Sequence, residues 1–253
     1  MTAIRFVAIG DSFTEGVGDD LPGGAVRGWA DLAAQGWADA VGAPLSYANL
    51  AIRGKLAWPI VEEQLEPALA LKPTHLSFNG GGNDMLRPRA DMAHIADSFS
   101  RVMARCEEEG VRVIFLSGAN PSPHLPLGRM VQRRGDGLSV AVLERIADHP
   151  DVIRALNWPD RELSERPFWA ADRLHMNARG HHRVAARVLD ALGHTPPSTW
   201  WSLPEDHGVI VPQGAAYYRE HVAPWVRRRL TGRSSGDGRT AKFPEWVELT
   251  PGG

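Results

Sequence analysis

Residues 10–16 (GDSFTEG) place a serine directly after a short apolar segment, residues 4–9 (IRFVAI). A short β-branched and apolar run that ends at a glycine is typical of a buried parallel strand. Ser12 is therefore a candidate nucleophile at the carboxyl end of a strand. Because glycine, aspartate and serine are also ordinary turn residues, this motif alone is equally consistent with a plain loop.

A second polar loop, residues 79–84 (NGGGND), follows another apolar segment. Three consecutive glycines let the backbone approach a ligand closely, and the Asn83 side chain offers an N–H group to an oxyanion. A phosphate-binding loop would need G-x-x-x-x-G-K-[ST] or G-x-G-x-x-G, and neither pattern occurs here. A plain loop is the other interpretation.

Asp172 and His175 are three residues apart, just before a predicted helix that Asn177 can cap. This spacing allows a carboxylate to orient an imidazole through one ring nitrogen and leaves the other nitrogen free to act as a base. An Asp-x-x-His pair is frequent by chance, so alone it favours a structural role.

These residues lie in a chain that alternates predicted strands and helices. Such alternation predicts βαβ units and a mostly parallel sheet with helices on both faces, whose ligands bind at the carboxyl ends of the strands. The predicted strands are residues 4–9, 45–51, 75–81, 111–118 and about 151–157, and the predicted helices are residues 28–42, 60–71, 91–110, about 136–148 and about 177–192.

Four blocks together resemble the SGNH, or GDSL-type, hydrolase family in order and spacing. They are Gly10-Asp11-Ser12, a glycine after the Asn-bearing second strand (Asn49 to Gly54), the GGND block at 81–84, and Asp172-x-x-His175. The resemblance covers residues 4 to about 192. It implies a three-layer α/β/α sandwich, flavodoxin-like, with a parallel sheet of about five strands, and we assign this domain to residues 1–193.

The resemblance also implies a role for each matching residue. Ser12 would be the nucleophile, His175 the general base and Asp172 the carboxylate that fixes the imidazole tautomer. The oxyanion would be held by the backbone N–H groups of Ser12 and Gly54 and by the side chain of Asn83. Such a site forms an acyl-serine intermediate, and we expect no metal and no organic cofactor.

Other polar residues lie near these blocks. Asp11 and Asp84 are expected to hold loops through capping and turn hydrogen bonds, and with Arg53 they are weaker candidates for substrate binding. His181 is expected to pack against the loop that carries Ser12. His181 and His182 are accompanied by no cysteine and by no third ligand at a suitable spacing, so a zinc site is not expected.

The basic residues 128–134 (GRMVQRR) are predicted to lie in the loop after the fourth strand. If this loop folds over the site, its arginines could bind a carboxylate or phosphate of the substrate. The alternative is solvated surface.

Residues 194–253 form a Pro- and Trp-rich extension outside the resemblance. One helix is predicted at 215–230, and residues 231–253 are predicted to be a flexible end. The G-x-S-x-G motif at 232–236 lacks the strand and the helix that a nucleophile elbow requires, so we expect a flexible linker. Five aromatic residues indicate packing onto the main domain or onto a partner, including a second copy of the chain: Trp200, Trp201, Tyr217, Tyr218 and Trp225.

The composition excludes several classes of protein. With 43% hydrophobic residues, 28 basic and 30 acidic side chains in 253 residues, the chain is neither disordered nor strongly basic, so neither nucleic acid nor an anionic membrane is expected as a partner. The single Cys106 is expected to be half-buried on a helix. Because no secretory signal or membrane-spanning segment is evident, a cytoplasmic location is expected.

From the sequence we expect a serine esterase that hydrolyses small carboxylic esters, with an acetyl or short-chain acyl group on a sugar or metabolite. A thioesterase or lysophospholipase of the same family is the nearest alternative. A non-catalytic acyl- or carbohydrate-binding protein on the same fold is the alternative from another class, and the complete set of triad and oxyanion residues argues against it.

Overall fold

The computed structural model describes residues 3–202, 214–224, 227, 231 and 233–253. Within these ranges the strands are β1 (Arg5–Ile9), β2 (Leu45–Asn49), β3 (His75–Phe78), β4 (Arg112–Leu116), β5 (Ile153–Ala155) and β6 (Phe243–Leu249). They form one sheet in the order β5-β4-β3-β1-β2-β6, in which β1 to β5 are parallel and β6 is antiparallel to β2. The chain leaves β1 for β2 on one side and returns to β3 on the other, so the carboxyl end of β1 is the topological switch point where such sheets bind ligands.

Helices cover both faces of this sheet. They are α1 (Ser12–Glu15), α2 (Trp29–Val41), α3 (Ala57–Ile60), α4 (Glu66–Ala70), α5 (Gly82–Met85), α6 (Met92–Glu108), α7 (Gly128–Arg145), α8 (Ala178–Ala191) and α9 (Ala215–Tyr217). Helices α3 and α4 are joined by a π-helical segment, Val61–Leu65, and α9 continues as another, Tyr218–Val222. Short 3₁₀ segments are Pro22–Gly24, Ser122–His124, Arg166–Phe168 and Ser198–Trp200. No helix of the described ranges is long and apolar enough to cross a bilayer.

Two apolar layers enclose the sheet, as β1 illustrates. Phe6 and Ala8 pack with α2 and α8 on one face, whereas Val7 and Ile9 pack with α3, α4 and α6 on the other. All four side chains are at most 1% exposed. Because a strand covered on both faces must be apolar at successive positions, the continuous run IRFVAI is explained, and the predicted three-layer α/β fold is confirmed.

The basic run at 128–134 does not form the expected loop. It is the beginning of α7, which starts at Gly128 rather than near residue 136 and ends at Arg145. Val131 and Val142 of this helix are buried, and the guanidinium of Arg134 donates hydrogen bonds to the carbonyl oxygens of Met85 and Arg87. Apolar residues are sparse in the first two turns of α7, so the charged residues there hide the helical pattern in the sequence.

The expectation of a flexible end is corrected for residues 243–249, which form β6 and add a sixth strand to the sheet. The Phe243 ring packs on Tyr47, and Trp246 packs against the apolar layer of α6. The strand depends on pairing with β2, a contact that the Gly- and Ser-rich composition of residues 231–253 as a whole does not reveal. Pro244 is compatible with an edge strand, where one side makes no ladder hydrogen bonds.

The remainder of the extension is described in part. Of the predicted helix 215–230, the residues up to 224 are helical, whereas 225–226 and 228–230, with Trp225, lie outside the described residues. Trp200 packs against the core and Tyr217 is buried, but Tyr218 is 53% exposed. Cys106 is fully buried on α6, and burial raises the pKa of its thiol to about 12.

Candidate active site

Ser12 is the first residue of α1, immediately after β1. The carboxylate of Asp11 caps this helix, since its Oδ1 accepts a hydrogen bond from the backbone N–H of Phe13 at 3.0 Å. The turn requires glycine at position 10, because a Cβ atom there would lie 2.5 Å from the Thr14 Oγ1 atom. The strand end and the cap therefore fix the position of Ser12 at the edge of the sheet.

Ser12, His175 and Asp172 form one hydrogen-bonded chain. Ser12 Oγ lies 3.0 Å from His175 Nε2, and His175 Nδ1 lies 2.6 Å from Asp172 Oδ2. Asp172 Oδ1 also accepts the backbone N–H groups of Leu174 and His175, each at 3.0 Å. The carboxylate can only accept, so the proton is assigned to Nδ1, and Nε2 is left as an acceptor for the serine hydroxyl.

The electrostatics of Asp172 favour its ionised form. Burial alone would raise the pKa of this carboxyl, but the hydrogen bond and the charge of His175, together with the two backbone N–H groups, lower it to about 2. At neutral pH a negative charge therefore faces the imidazole and can stabilise an imidazolium.

The loops that carry Ser12 and His175 are in direct contact. A Cβ atom on Gly18 would lie 1.9 Å from the Met176 carbonyl oxygen, and Gly18 has φ +101°, so only glycine permits this approach.

His181 packs against the loop that carries Ser12, as expected. Its Nε2 donates to the Val17 carbonyl oxygen at 3.2 Å, and its Nδ1 accepts the backbone N–H of Trp29 at 3.1 Å. Burial lowers the pKa of His181 to about 4, consistent with a neutral ring.

Asn83 and Gly54, the two oxyanion candidates besides Ser12, line the same groove as Ser12. The two N–H bonds of Asn83 Nδ2 are directed to Asp11 Oδ2 and to the Lys55 carbonyl oxygen, both at 3.0 Å. Burial raises the pKa of Asp11 to about 6. Gly54 has φ +78°, and a Cβ atom there would lie 2.3 Å from Ser234 Oγ of the C-terminal extension.

The three weaker candidates are engaged by the protein itself. Asp11 holds Asn83 and the start of α1, and Asp84 Oδ2 accepts the backbone N–H of Ala57 at the start of α3, at 3.0 Å. Arg53 borders the site, but its guanidinium forms an ion pair with Glu15 of α1. The loop-holding interpretation of the two aspartates matches these contacts.

Two residues that support the site were missed from the sequence. Buried Gln64, on the π-helical segment, accepts the N–H of Gly10 at 2.8 Å and donates to its carbonyl oxygen at 3.0 Å. Lys242 Nζ, just before β6, donates to the carbonyl oxygens of Glu15 (2.8 Å) and Arg27 (2.6 Å) and to Asp31 Oδ2 (2.8 Å). No sequence pattern links either residue to Ser12, because each contact spans more than 50 positions.

The G-x-S-x-G segment is an ordered turn beside the site where the structure describes it. The backbone N–H of Ser234 donates to Asp237 Oδ2 at 2.9 Å, and the N–H of Gly236 donates to Ser234 Oγ at 3.2 Å. Gly236 is buried against the Arg53 carbonyl oxygen. The flexible linker expected for residues 232–236 is thus corrected for 233–236, whereas residue 232 lies outside the described ranges.

Two spaces of different character meet at Ser12 and His175. One is a cavity of about 110 Å³ between the sheet, α6 and α7, and its walls are largely apolar: Met85, Phe99, Phe115, Leu138, Val142 and Trp158. The other is a wider open groove of about 710 Å³, which includes Arg53, Gly54, Arg87, Asp172, Arg233 and Ser234. A substrate with one apolar part and one polar part fits this division.

The profile of the GDSL-like Lipase/Acylhydrolase family matches residues 8–183. No curated protein sequence matches the chain significantly. Similar solved structures include the lipase Lip_vut3 from a goat rumen metagenome, with TM-score 0.63, 19% identity and coverage of 76% of this chain and 99% of that chain. The lipase/acylhydrolase from Enterococcus faecalis has TM-score 0.59 and 20% identity, with 77% and 99% covered. A mutant of Axe2, an acetyl-xylooligosaccharide esterase from Geobacillus Stearmophilus, has TM-score 0.59 and 17% identity, with 75% and 94% covered.

Proposed function

The chain belongs to the GDSL-like lipase/acylhydrolase family and is an ester-bond hydrolase, and on that basis we propose that it is a serine esterase for small carboxylic esters. The observation that carries the proposal is the continuous chain from Ser12 Oγ through the His175 ring to Asp172, with distances of 3.0 and 2.6 Å. A serine with an adjacent base and an orienting carboxylate performs acyl transfer.

In the proposed reaction Ser12 Oγ attacks the ester carbonyl carbon while His175 Nε2 takes the hydroxyl proton. Asp172 holds the ring and stabilises the imidazolium that forms. His175 then gives the proton to the leaving alcohol oxygen as the carbon–oxygen bond breaks, which leaves an acyl group on Ser12. A water molecule, deprotonated by His175, then attacks the acyl carbon. The acid is released when the bond to Ser12 Oγ breaks and His175 returns the proton to this oxygen.

The negative oxygen of each tetrahedral intermediate is assigned to the backbone N–H groups of Ser12 and Gly54 and to Asn83 Nδ2. Each such donor typically lowers the barrier by about 2.7 to 4 kcal/mol. Because both N–H bonds of Asn83 are already directed to Asp11 and the Lys55 carbonyl, the oxyanion would replace one of these acceptors. The amide is thus already oriented in the folded protein, so it needs no further ordering during the reaction.

The apolar cavity indicates the acyl length. An engineered cavity of about 150 Å³ in another protein holds benzene, so the space of about 110 Å³ beside Ser12 fits an acyl chain of roughly four carbons. Short acyl groups such as acetyl and butyryl are therefore the proposed acyl part. Trp158 and Leu138 are among the apolar side chains that line this space.

The test is a fluorophosphonate reaction followed by intact mass and peptide mapping, on the wild type, Ser12→Ala and Ser234→Ala. We expect one adduct on Ser12, lost only in Ser12→Ala, and turnover of p-nitrophenyl esters that is highest for chains of two to four carbons. Ser234→Ala is the matched control because it removes the serine of the competing motif.

The absence of an adduct on folded wild-type protein would contradict the proposal and favour a non-catalytic acyl- or carbohydrate-binding protein. An optimum at eight or more carbons, with Ser12 labelled, would instead favour the thioesterase or lysophospholipase alternative.

A further inference from the structure

The arginine side chains at the site line the open groove and not the apolar cavity. In the proposed reaction the acyl group lies in the apolar cavity, so the alcohol part of the ester lies in the groove, next to His175 that must protonate it. Three arginines border this groove: Arg53, Arg87 and Arg233. What faces the alcohol part depends on which of these charges is neutralised by the protein.

The charged groups at the groove leave two guanidinium groups unmatched. Arg53 is paired with Glu15, Asp172 is paired with His175, and Lys55 is paired with Glu63. Arg87 and Arg233 are exposed, and within the part of the chain that the structure describes neither forms an ion pair.

Two carboxylates lie near these arginines, but both are engaged elsewhere. Asp84, whose pKa is raised by burial, accepts the backbone N–H of Ala57. Asp237 accepts the backbone N–H of Ser234. Within the described residues neither carboxylate forms an ion pair with Arg87 or Arg233, so both guanidinium groups can hydrogen-bond a ligand in the groove.

The position of Arg233 is set by the turn that follows it. Ser234 and Ser235 lie against Gly54, and Gly236 is buried against the Arg53 carbonyl oxygen. Arg233 thus borders the same groove as the proposed oxyanion residues although it is far from them in sequence. It also lies outside residues 8–183, the range that the family profile matches, so it is a feature of this chain rather than of that range.

We propose that Arg87 and Arg233 form a subsite for an anionic oxygen group, a carboxylate or a phosphate, on the alcohol part of the ester. Guanidinium groups bind such anions through paired, charge-assisted hydrogen bonds. The preferred substrate is then a short-chain ester of an anionic alcohol. This inference rests on the proposed esterase function and specifies its substrate class.

The experiment compares three acetates that differ in charge. They are 4-acetoxybenzoate, its neutral methyl ester, and 4-acetoxyphenyl phosphate, measured with the wild type, Arg87→Gln, Arg233→Gln and the double variant. The control is Arg133→Gln, which removes the same charge from a surface beside Ser122 and Pro123, apart from the groove.

For the double variant we expect kcat/KM for the two anionic acetates to fall about tenfold, mainly through KM, since exposed ion pairs contribute up to roughly fivefold each. The neutral methyl ester should change by less than about twofold, and Arg133→Gln should match the wild type for all three acetates. The preference for anionic acetates should also decline as salt rises from 10 mM to 500 mM, because exposed charges are screened. The ratio between phosphate and carboxylate acetates identifies which anion the subsite prefers.

Equal losses for neutral and anionic acetates, or no loss for either, would overturn the subsite while the esterase function stands. If the wild type hydrolyses none of the three acetates and Ser12 is not labelled, the esterase function fails and the subsite fails with it. Circular dichroism of each variant shows that the comparison is made on folded protein.

Discussion

The catalytic region, residues 8–183, and the C-terminal segment, residues 233–253, contribute to the same site in different ways. In the first region each candidate residue belongs to a short contiguous motif at a strand end or before a helix, such as Gly10-Asp11-Ser12 or Asp172-x-x-His175. The C-terminal segment contributes single contacts across the chain, with Ser234 on Gly54 and Lys242 on the Glu15 carbonyl, 227 positions away. The candidate catalytic residues therefore lie in short local motifs, whereas some of the residues that hold them in place are distant in sequence.

The largest effect is expected within the catalytic region itself. Asp172→Asn keeps the shape of the side chain but removes the charge that selects the Nδ1–H tautomer, so kcat should fall about 10⁴-fold with little change in stability. Asp97→Asn, at an exposed pair with Arg145, is the control and should leave kcat unchanged. The measurement is hydrolysis of p-nitrophenyl acetate. A loss of less than tenfold would show that Asp172 does not orient His175.

The next prediction concerns His181, which contacts the loop that carries Ser12 and also belongs to the catalytic region. His181 has a folded pKa of about 4, below its ordinary value of 6.5, so between these values the unfolded chain binds more protons than the folded protein. This group's contribution is complete above about pH 6.5 and declines as the pH falls toward 4, by about 3 kcal/mol in total at 1.36 kcal/mol per pKa unit.

Urea unfolding of the wild type and of His181→Gln at pH 7 and pH 4 measures this contribution. The wild type should lose about 3 kcal/mol more than the variant over this interval. The difference between the two proteins cancels other titrating groups, including Asp11, whose raised pKa acts in the opposite direction. Equal losses would show that His181 is not held neutral between the Ser12 loop and α2.

A smaller effect is expected from the C-terminal segment. Lys242→Met removes the ammonium group that donates to the Glu15 and Arg27 carbonyl oxygens and to Asp31. The pKa of Asp31 is raised by burial, and the charge of Lys242 opposes part of this rise. We expect unfolding to become easier by about 2 kcal/mol. Because Glu15 ends the helix that begins at Ser12, kcat/KM should also fall about fivefold, in line with roughly 1 kcal/mol of lost positioning.

Lys72→Met is the matched control, since Lys72 is exposed and precedes β3, at the edge of the sheet opposite Ser12. Urea unfolding and p-nitrophenyl acetate hydrolysis are measured for both variants. If Lys242→Met behaves like Lys72→Met, the C-terminal segment is an added strand with no influence on the nucleophile, and the two regions are independent.

Much of the fold and most of the candidate site could be predicted from sequence. The five parallel strands follow from short apolar runs, since burial on both faces leaves a strong local signal, and Ser12, Asn83, Asp172 and His175 are brought together as expected. The start of α7 and the existence of β6 were not predicted. In both segments charged, glycine or proline residues mask an apolar pattern that only the packed partner makes visible.

The sequence by itself determined the order of elements, the parallel core and the candidate catalytic side chains, because hydrophobic periodicity and contiguous polar motifs are local properties. Tertiary structure alone decided which groups surround them. It placed Gln64 on Gly10, Lys242 on the Ser12 helix and Ser234 against Gly54, and it neutralised Arg53 with Glu15. The physical reason is that hydrogen bonds and ion pairs act over a few ångströms in space, whatever the separation of their partners along the chain.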